Sequence, residues 1–274
     1  VSVDRSTGFV VAGLVLLVGT LIVSAVLAPS IGATSLANDS TATLVGSQGG
    51  GPAWHEHGSV YLYNGSVEWR ESSADSYFDV TKMGDGTVVA AFIDGGYSDC
   101  GPFEPPCPRT GFKVIDPRPT PTVVHEYSYP VRSMSDSEVH DVEPLGNGEF
   151  LVADMEYERL IAVRNDSVTW QWNASSFYDA PPDPTTTDWL HINDVDVLSD
   201  DRYLVSVRNA NQLLVVERGE GVVEVVNEDD SDADDGSCRS SSQLSDFDDD
   251  GEIRCGDPTV LNHQHNPQWL GDGR

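Results

Sequence analysis

Three histidines and one arginine stand at related points of the chain. His140 directly precedes Asp141-Val142, and His265 directly precedes Asn266-Pro267. His191 lies two residues before Asn193, which itself precedes Asp194-Val195, and Arg208 follows His191 by 17 residues in Val205-Ser206-Val207-Arg208-Asn209. Imidazole can act as nucleophile or base, and a guanidinium holds an anion through directed N–H donors. Brought together, these side chains would form an anion site, or a site where a histidine attacks or deprotonates a charged substrate. Two other readings stand beside this one. A single histidine at the start of a strand is commonly a hydrogen-bonding corner residue, and three histidines suffice to bind a metal. Arg208 argues against a metal, because a cation beside a metal ion raises the electrostatic cost.

A second pattern belongs to carboxylates. Asp246-Phe247-Asp248-Asp249-Asp250-Gly251-Glu252 has the alternation of acids and the turn glycine that hard Ca²⁺ ligation requires. Asp246, Asp248, Asp250, Glu252 and Asp257 are the candidate ligands of a structural calcium ion. Asp257 stands where an EF-hand loop has glutamate, no flanking helices are evident, and chance spacing in an acid-rich stretch is the competing explanation.

The elements that must position the histidines repeat. Asp79-Val80, Met83, Gly86 and Val88 share their spacing with Asp141-Val142, Leu145, Gly148 and Phe150. The same spacing returns at Asp194-Val195, Leu198, Asp201 and Tyr203, and again at Asn266-Pro267, Leu270 and Gly273. Between copies, Asn64 to Trp69 parallels Asn165 to Trp170. The copies begin 62, 53 and 72 residues apart, so a shorter unit carries insertions. No long apolar period of 3.6 residues appears. Short apolar or alternating runs, such as Thr87–Ile93, Phe150–Ala153 and Tyr203–Val207, are punctuated by Gly, Asn and Asp instead. A unit of about four short strands predicts an all-β chain and a β-propeller blade. The residues preceding each recurring Asp or Asn (Phe78, His140, Asn193 and His265) would then converge on a central channel. Roughly four copies are too few to close most propeller rings, which predicts a truncated propeller.

Composition sets the surroundings. The chain has 274 residues, with 15 Lys+Arg against 45 Asp+Glu and a net charge of -30, and lysine occurs only at Lys82 and Lys113. Nucleic acid is excluded as a general partner, because phosphate backbones demand a basic face. An acidic, lysine-poor surface suits a halophilic protein, whose self-repulsion is screened by concentrated salt. With 39% hydrophobic residues a packed core is affordable.

The N-terminal organisation is expected as follows. Residues 1–7 form a short inside tail, 8–28 an uncharged apolar run long enough to span a bilayer, and 29–50 a flexible linker. Residues 51–274 form the propeller, with an acidic insertion over 228–257. A cleaved signal peptide is the alternative for 8–28; both readings export the domain and place it outside the cell, the first as a single-pass membrane protein. Val1 in place of methionine, and an end at Arg274 within a repeat, predict a fragment at both ends. Four cysteines fit export, and local pairing of Cys100 with Cys107 and of Cys238 with Cys255 is the simplest connectivity. Sequons at Asn38, Asn64, Asn165 and Asn173 suit a glycosylated outer surface.

At its histidines the sequence resembles the PAPS-independent arylsulfate sulfotransferases (arylsulfotransferases), in the form of a haloarchaeal-type member. The matching pieces are His140-Asp141-Val142 with Gly146-Asn147-Gly148, His191 to Asp196, Ser206-Val207-Arg208-Asn209, and Gln264-His265-Asn266. Their order agrees with the family, and the resemblance covers roughly residues 54 to 274. It implies a six-bladed propeller when complete. It also implies an enzyme in which His265 takes a sulfuryl group from an aryl sulfate, as a sulfohistidine that a phenolic acceptor discharges. His140, His191 and Arg208 would hold the sulfuryl oxygens, and no cofactor would be required. The chain departs from the family in carrying Asn266 where Asp is usual, and His263 sits beside Gln264, so repeat phase alone selects His265. A non-catalytic cell-surface propeller used for binding or adhesion is the second function considered.

Overall fold

The computed structural model describes residues 42–49, 57–178, 180–199, 201–228 and 255–270, which lie in one compact unit beginning at Ala42. The expected membrane span at 8–28, Cys238 and most of the acidic insertion lie outside the described residues. No helix among the described residues is long and apolar enough to cross a membrane.

These residues are all-β, in four antiparallel sheets. The first is β1 (Thr43–Ser47), β2 (Ser59–Tyr63) and β3 (Val67–Glu71). The second is β4 (Ser76–Lys82), β5 (Val88–Tyr97), β6 (Cys107–Asp116) and β7 (Thr122–Pro130). The third is β8 (Val139–Gly146), β9 (Glu149–Asp154), β10 (Arg159–Arg164) and β11 (Ser167–Asn173). The fourth is β12 (Ile192–Ser199), β13 (Arg202–Val207), β14 (Gln212–Glu217) and β15 (Gly221–Val226). Every sheet is a meander in chain order, as the repeat predicts, and the recurring Asp lies within β4, β8 and β12, the first strand of each four-stranded sheet. A closed ring is not seen among the described residues.

β1 corrects the boundary expected for the linker. Thr43–Ser47 lies inside the stretch assigned to a flexible tether, yet it pairs with β2 from Thr43↔Tyr63 to Ser47↔Ser59. Its Ser- and Gly-rich surroundings hid a strand whose Leu44 packs against the core formed by Val60, Tyr77 and Phe92.

Burial explains the strand sequences. The second strands are covered on both faces by neighbouring sheets, so β9 is buried at every position and β5 from Val88 to Ile93. These read as continuous apolar runs rather than alternation. β7, the last strand of its sheet, alternates exposed and half-buried positions instead. Reversals are tight: Gly146, Asn147 and Gly148 all have positive φ between β8 and β9, and Asn165 and Asp166 both do between β10 and β11. The second pair has the geometry of a primed hairpin turn, whose twist matches the strands. Cys100 and Cys107 form the expected disulfide across the β5–β6 connection. Cys255 is also disulfide-bonded.

The recurring aspartates tie sheet to sheet. Asp141 Oδ2 accepts the Val195 N–H at 2.7 Å, and Asp79 accepts that of Val142 in the same way. Crowding acids together here is costly. Burial pushes Asp79 up to about 6, and Asp194 and Glu143 up to about 7, with like charges adding to the latter two. Asp141 lies well above the ordinary range, for burial first and then for the charges of Asp79 and Asp194. A carboxyl whose folded pKa exceeds its unfolded value stabilises the fold while protonated. That contribution is complete below the unfolded value of about 4 and is lost as pH rises through the folded one. The expected result is a melting temperature that falls between about pH 4 and about pH 7. Asp141→Asn, which keeps an acceptor for Val195, should raise it at pH 8 by about 2–4 °C in calorimetry. An unchanged or lower value would show that the carboxylates do not repel there.

Candidate functional site

The repeat places its variable residue on a bulge. β8 pairs with β9 through Val139↔Asp154 and then Asp141↔Ala153, leaving His140 as the extra residue. β12 repeats this around Asn193, between Ile192↔Val207 and Asp194↔Ser206. β4 loses register over Phe78 and Asp79. A bulge turns one side chain out of the alternating pattern, a device common beside active sites.

The bulged residues and their neighbours meet. The rings of His140 and His191 lie 5.1 Å apart, and His265 lies 6.4 Å from each. Phe78 packs against His140 at 5.5 Å. Arg208, just beyond β13, brings Nη1 to 2.9 Å from His191 Nε2. All four residues selected from sequence are therefore assembled in one place. His263 is exposed and hydrogen-bonds to its neighbour Asn262, and it is His265 whose ring joins the cluster.

Hydrogen bonds assign the protons. A guanidinium can only donate, so His191 Nε2 must be the acceptor and the ring proton sits on Nδ1. Nδ1 then donates to Asp188 Oδ1 at 2.7 Å. Asp188 Oδ2 takes a second bond from Arg208 Nη2 at 3.3 Å, and Asp188 O one from Asn209 Nδ2 at 2.8 Å. Burial raises the Asp188 carboxyl, but the hydrogen bond from His191 and the charge of Arg208 outweigh it and hold it below the usual range. His140 is pushed down to about 3, by burial first and then by His191, His265 and Arg208. Its Nε2 is buried without a hydrogen-bond partner, Glu138 Oε1 standing at 3.6 Å. His265 is lowered too, by burial, Arg208 and the other histidines, yet it is exposed. At neutral pH the cluster therefore presents unprotonated imidazole at His140 and His265 beside a fixed cation.

His265 lies on a segment outside the sheets, anchored by its neighbour. Gln264 Nε2 donates to Val207 O at 3.1 Å and Gln212 O at 2.9 Å, and Gln264 O accepts Asn193 Nδ2 at 2.9 Å. Asn211 Oδ1 accepts the His263 N–H. The chain is pinned earlier as well: Asn227 Nδ2 donates to Asp257 O at 2.9 Å, and Gly256 N to Ala210 O at 2.8 Å.

Sequence reasoning missed Asp188 and Gln264's anchoring role. An acid three residues before His191 was the available signal for the first. Asp136, Asp188 and His191 could offer one metal-ligand atom each within 4.8 Å, but Arg208 already occupies Asp188 and faces His191. Of the calcium candidates, Asp257 spends Oδ1 on Thr259 N–H and Oγ1–H; Asp246, Asp248, Asp250 and Glu252 lie outside the described residues.

A family model described as arylsulfotransferase (ASST) matches residues 147–274. No curated protein matches the chain. Among solved structures it is similar to a protein of unknown function from Bacteroides caccae, at 10% identity and a TM-score of 0.42 over 62% of this chain and 54% of that one. It is also similar to BBS1N, crystallised in complex with ARL6DN, at 13% identity and a TM-score of 0.34 over 67% and 55%. The chain thus spans about half the length of either structure. His140 precedes the family match, whereas His191, Arg208 and His265 fall within it. The family match, just under half of the chain, makes residues 147–274 similar to the arylsulfotransferases.

Proposed function

We propose that this protein transfers a sulfuryl group from an aryl sulfate to a phenol, through a sulfohistidine on His265, in a propeller of which the four sheets are blades. The observation that carries the reading is the convergence of an exposed, unprotonated His265 with Arg208 and two further imidazoles in one cluster. In the first half-reaction a ring nitrogen lone pair of His265 forms an N–S bond while the aryl O–S bond breaks. The phenol oxygen leaves with that electron pair. In the second, the acceptor phenol gives up its O–H proton to solvent, its oxygen forms a bond to sulfur, and the N–S electron pair returns to His265. Arg208 has five N–H donors, of which three are committed to Asn209, His191 and Asp188. The remaining two are available for sulfuryl oxygens. Asp188 holds Arg208 and His191 as one unit, so the cation does not reorganise as charge develops. His140 Nε2 supplies a further polar atom without a partner of its own.

An exported setting is part of the proposal, with residues 8–28 as a membrane anchor. The Cys100–Cys107 disulfide supports it, since such bonds persist in oxidising compartments. A structural calcium ion at the acidic insertion is proposed on spacing alone.

The covalent step has a direct test. The protein in concentrated salt, given an aryl sulfate without acceptor, should release one phenol per site and gain the mass of SO3 on the peptide containing His265. Phenol should remove that mass. Modification of another residue, or none while turnover continues, would refute the intermediate.

A further inference from the structure

Glu158 sits at the β9–β10 turn, 1% exposed and with a left-handed φ of 46°. A carboxylate so placed needs donors, and it finds three in succession. Oε1 accepts the N–H of Leu190 at 3.0 Å and of His191 at 2.6 Å, and Oε2 accepts that of Ile192 at 2.9 Å. His191 is itself left-handed, with φ of 57°, so the chain reverses its curvature at the residue whose ring faces Arg208. A non-glycine residue in that region is strained and persists only where its surroundings over-determine it. Glu158 supplies that constraint from the neighbouring sheet. One turn of the repeat later, Asn211 occupies the corresponding place with φ of 53°, and its Oδ1 accepts the His263 N–H at 3.2 Å. In the preceding repeat Gly96 stands there, and Val139 N donates instead to Thr110 Oγ1. On the strand entry that carries His191 the grip has three bonds.

We propose that Glu158 is a positioning residue that fixes the His191 backbone, and through it the Asp188–His191–Arg208 unit, for binding the sulfuryl group. It touches no substrate. Its catalytic consequence rests on the sulfuryl-transfer reading; its effect on His191 does not. Glu158→Gln keeps the size and shape but turns an amide –NH2 toward backbone donors, so at least one of the three bonds is lost. In the full protein, ring ¹⁵N signals of His191 should change from a single Nδ1–H tautomer to a mixture, while cooperative melting is retained. With 4-nitrophenyl sulfate and a phenol, kcat should fall about 10–100-fold, the range for removal of an orienting partner, with KM changed less than about threefold. Glu158→Asp, which keeps the carboxyl group with a shorter reach, should recover part of kcat. A folded Glu158→Gln protein with unchanged His191 signals overturns the proposal, whether or not the wild type turns over aryl sulfates. Should neither variant fold, the wild-type spectrum decides. The Leu190, His191 and Ile192 amides must exchange slowly and together beside a single His191 tautomer, and a mixed tautomer overturns the proposal.

Discussion

His265→Ala should abolish acceptor-dependent release of 4-nitrophenolate, with a loss of at least about 10⁴ in kcat. Removing a covalent nucleophile leaves only the contributions of binding and electrostatics. The variant is expected to fold, because the ring lies on an exposed segment whose anchors are Gln264 and Asn211 rather than His265 itself. His263→Ala is the control, since that side chain lies exposed on Asn262. It should leave turnover within a few-fold of wild type. The pH dependence follows from the same chemistry. His265 must be unprotonated to attack, and burial with Arg208 lowers its pKa from the ordinary value. Wild-type kcat/KM should therefore be level through neutrality and fall only as pH drops below the usual histidine range of about 6.5. Equal loss in both alanine variants would unseat His265, and no turnover by wild type across donors and salt conditions would move the reading to a surface binding module.

Arg208→Lys should cost about 10²–10³ in kcat, the scale of losing one pre-organised donor to developing negative charge. Charge is retained, so a purely electrostatic role would predict a small effect. The guanidinium, however, spans Asn209, His191 and Asp188 simultaneously while keeping two N–H groups for the ligand. An ammonium is a compact point with three donors and cannot reproduce that fork. Asp188 would then hold a poorly partnered carboxylate, and the His191 ring would lose the donor that fixes its tautomer. Sulfate binding by calorimetry should weaken in parallel with kcat. A lysine variant within threefold of wild type would show that Arg208 acts as a distant charge rather than as a hydrogen-bonding clamp.

The repeat makes much of this legible in the sequence. Its phase placed Phe78, His140, Asn193 and His265 at equivalent points, and the structure shows Phe78, His140 and Asn193 on register breaks at their strand starts. Periodicity reports strands because burial imposes it, and it reports a bulge only as a break between aligned copies. Asp188 and Glu158 were invisible for a different reason. They lie outside the strands, where no period constrains residue type, and Glu158 acts on amides more than thirty residues away. β1 was lost among Ser, Thr and Gly, because a five-residue strand with one strongly apolar contact does not stand out from a linker.

The clamps around Asn227, Asp257, Gln264 and Asn211 separate two things that chain connectivity would otherwise join. The acidic segment leaves and re-enters the fold at points already fastened to β13 and β14, so its length is not transmitted to the histidine beyond it. Evolution can lengthen, shorten or recharge that stretch, while the geometry of the histidine cluster stays where the sheets hold it.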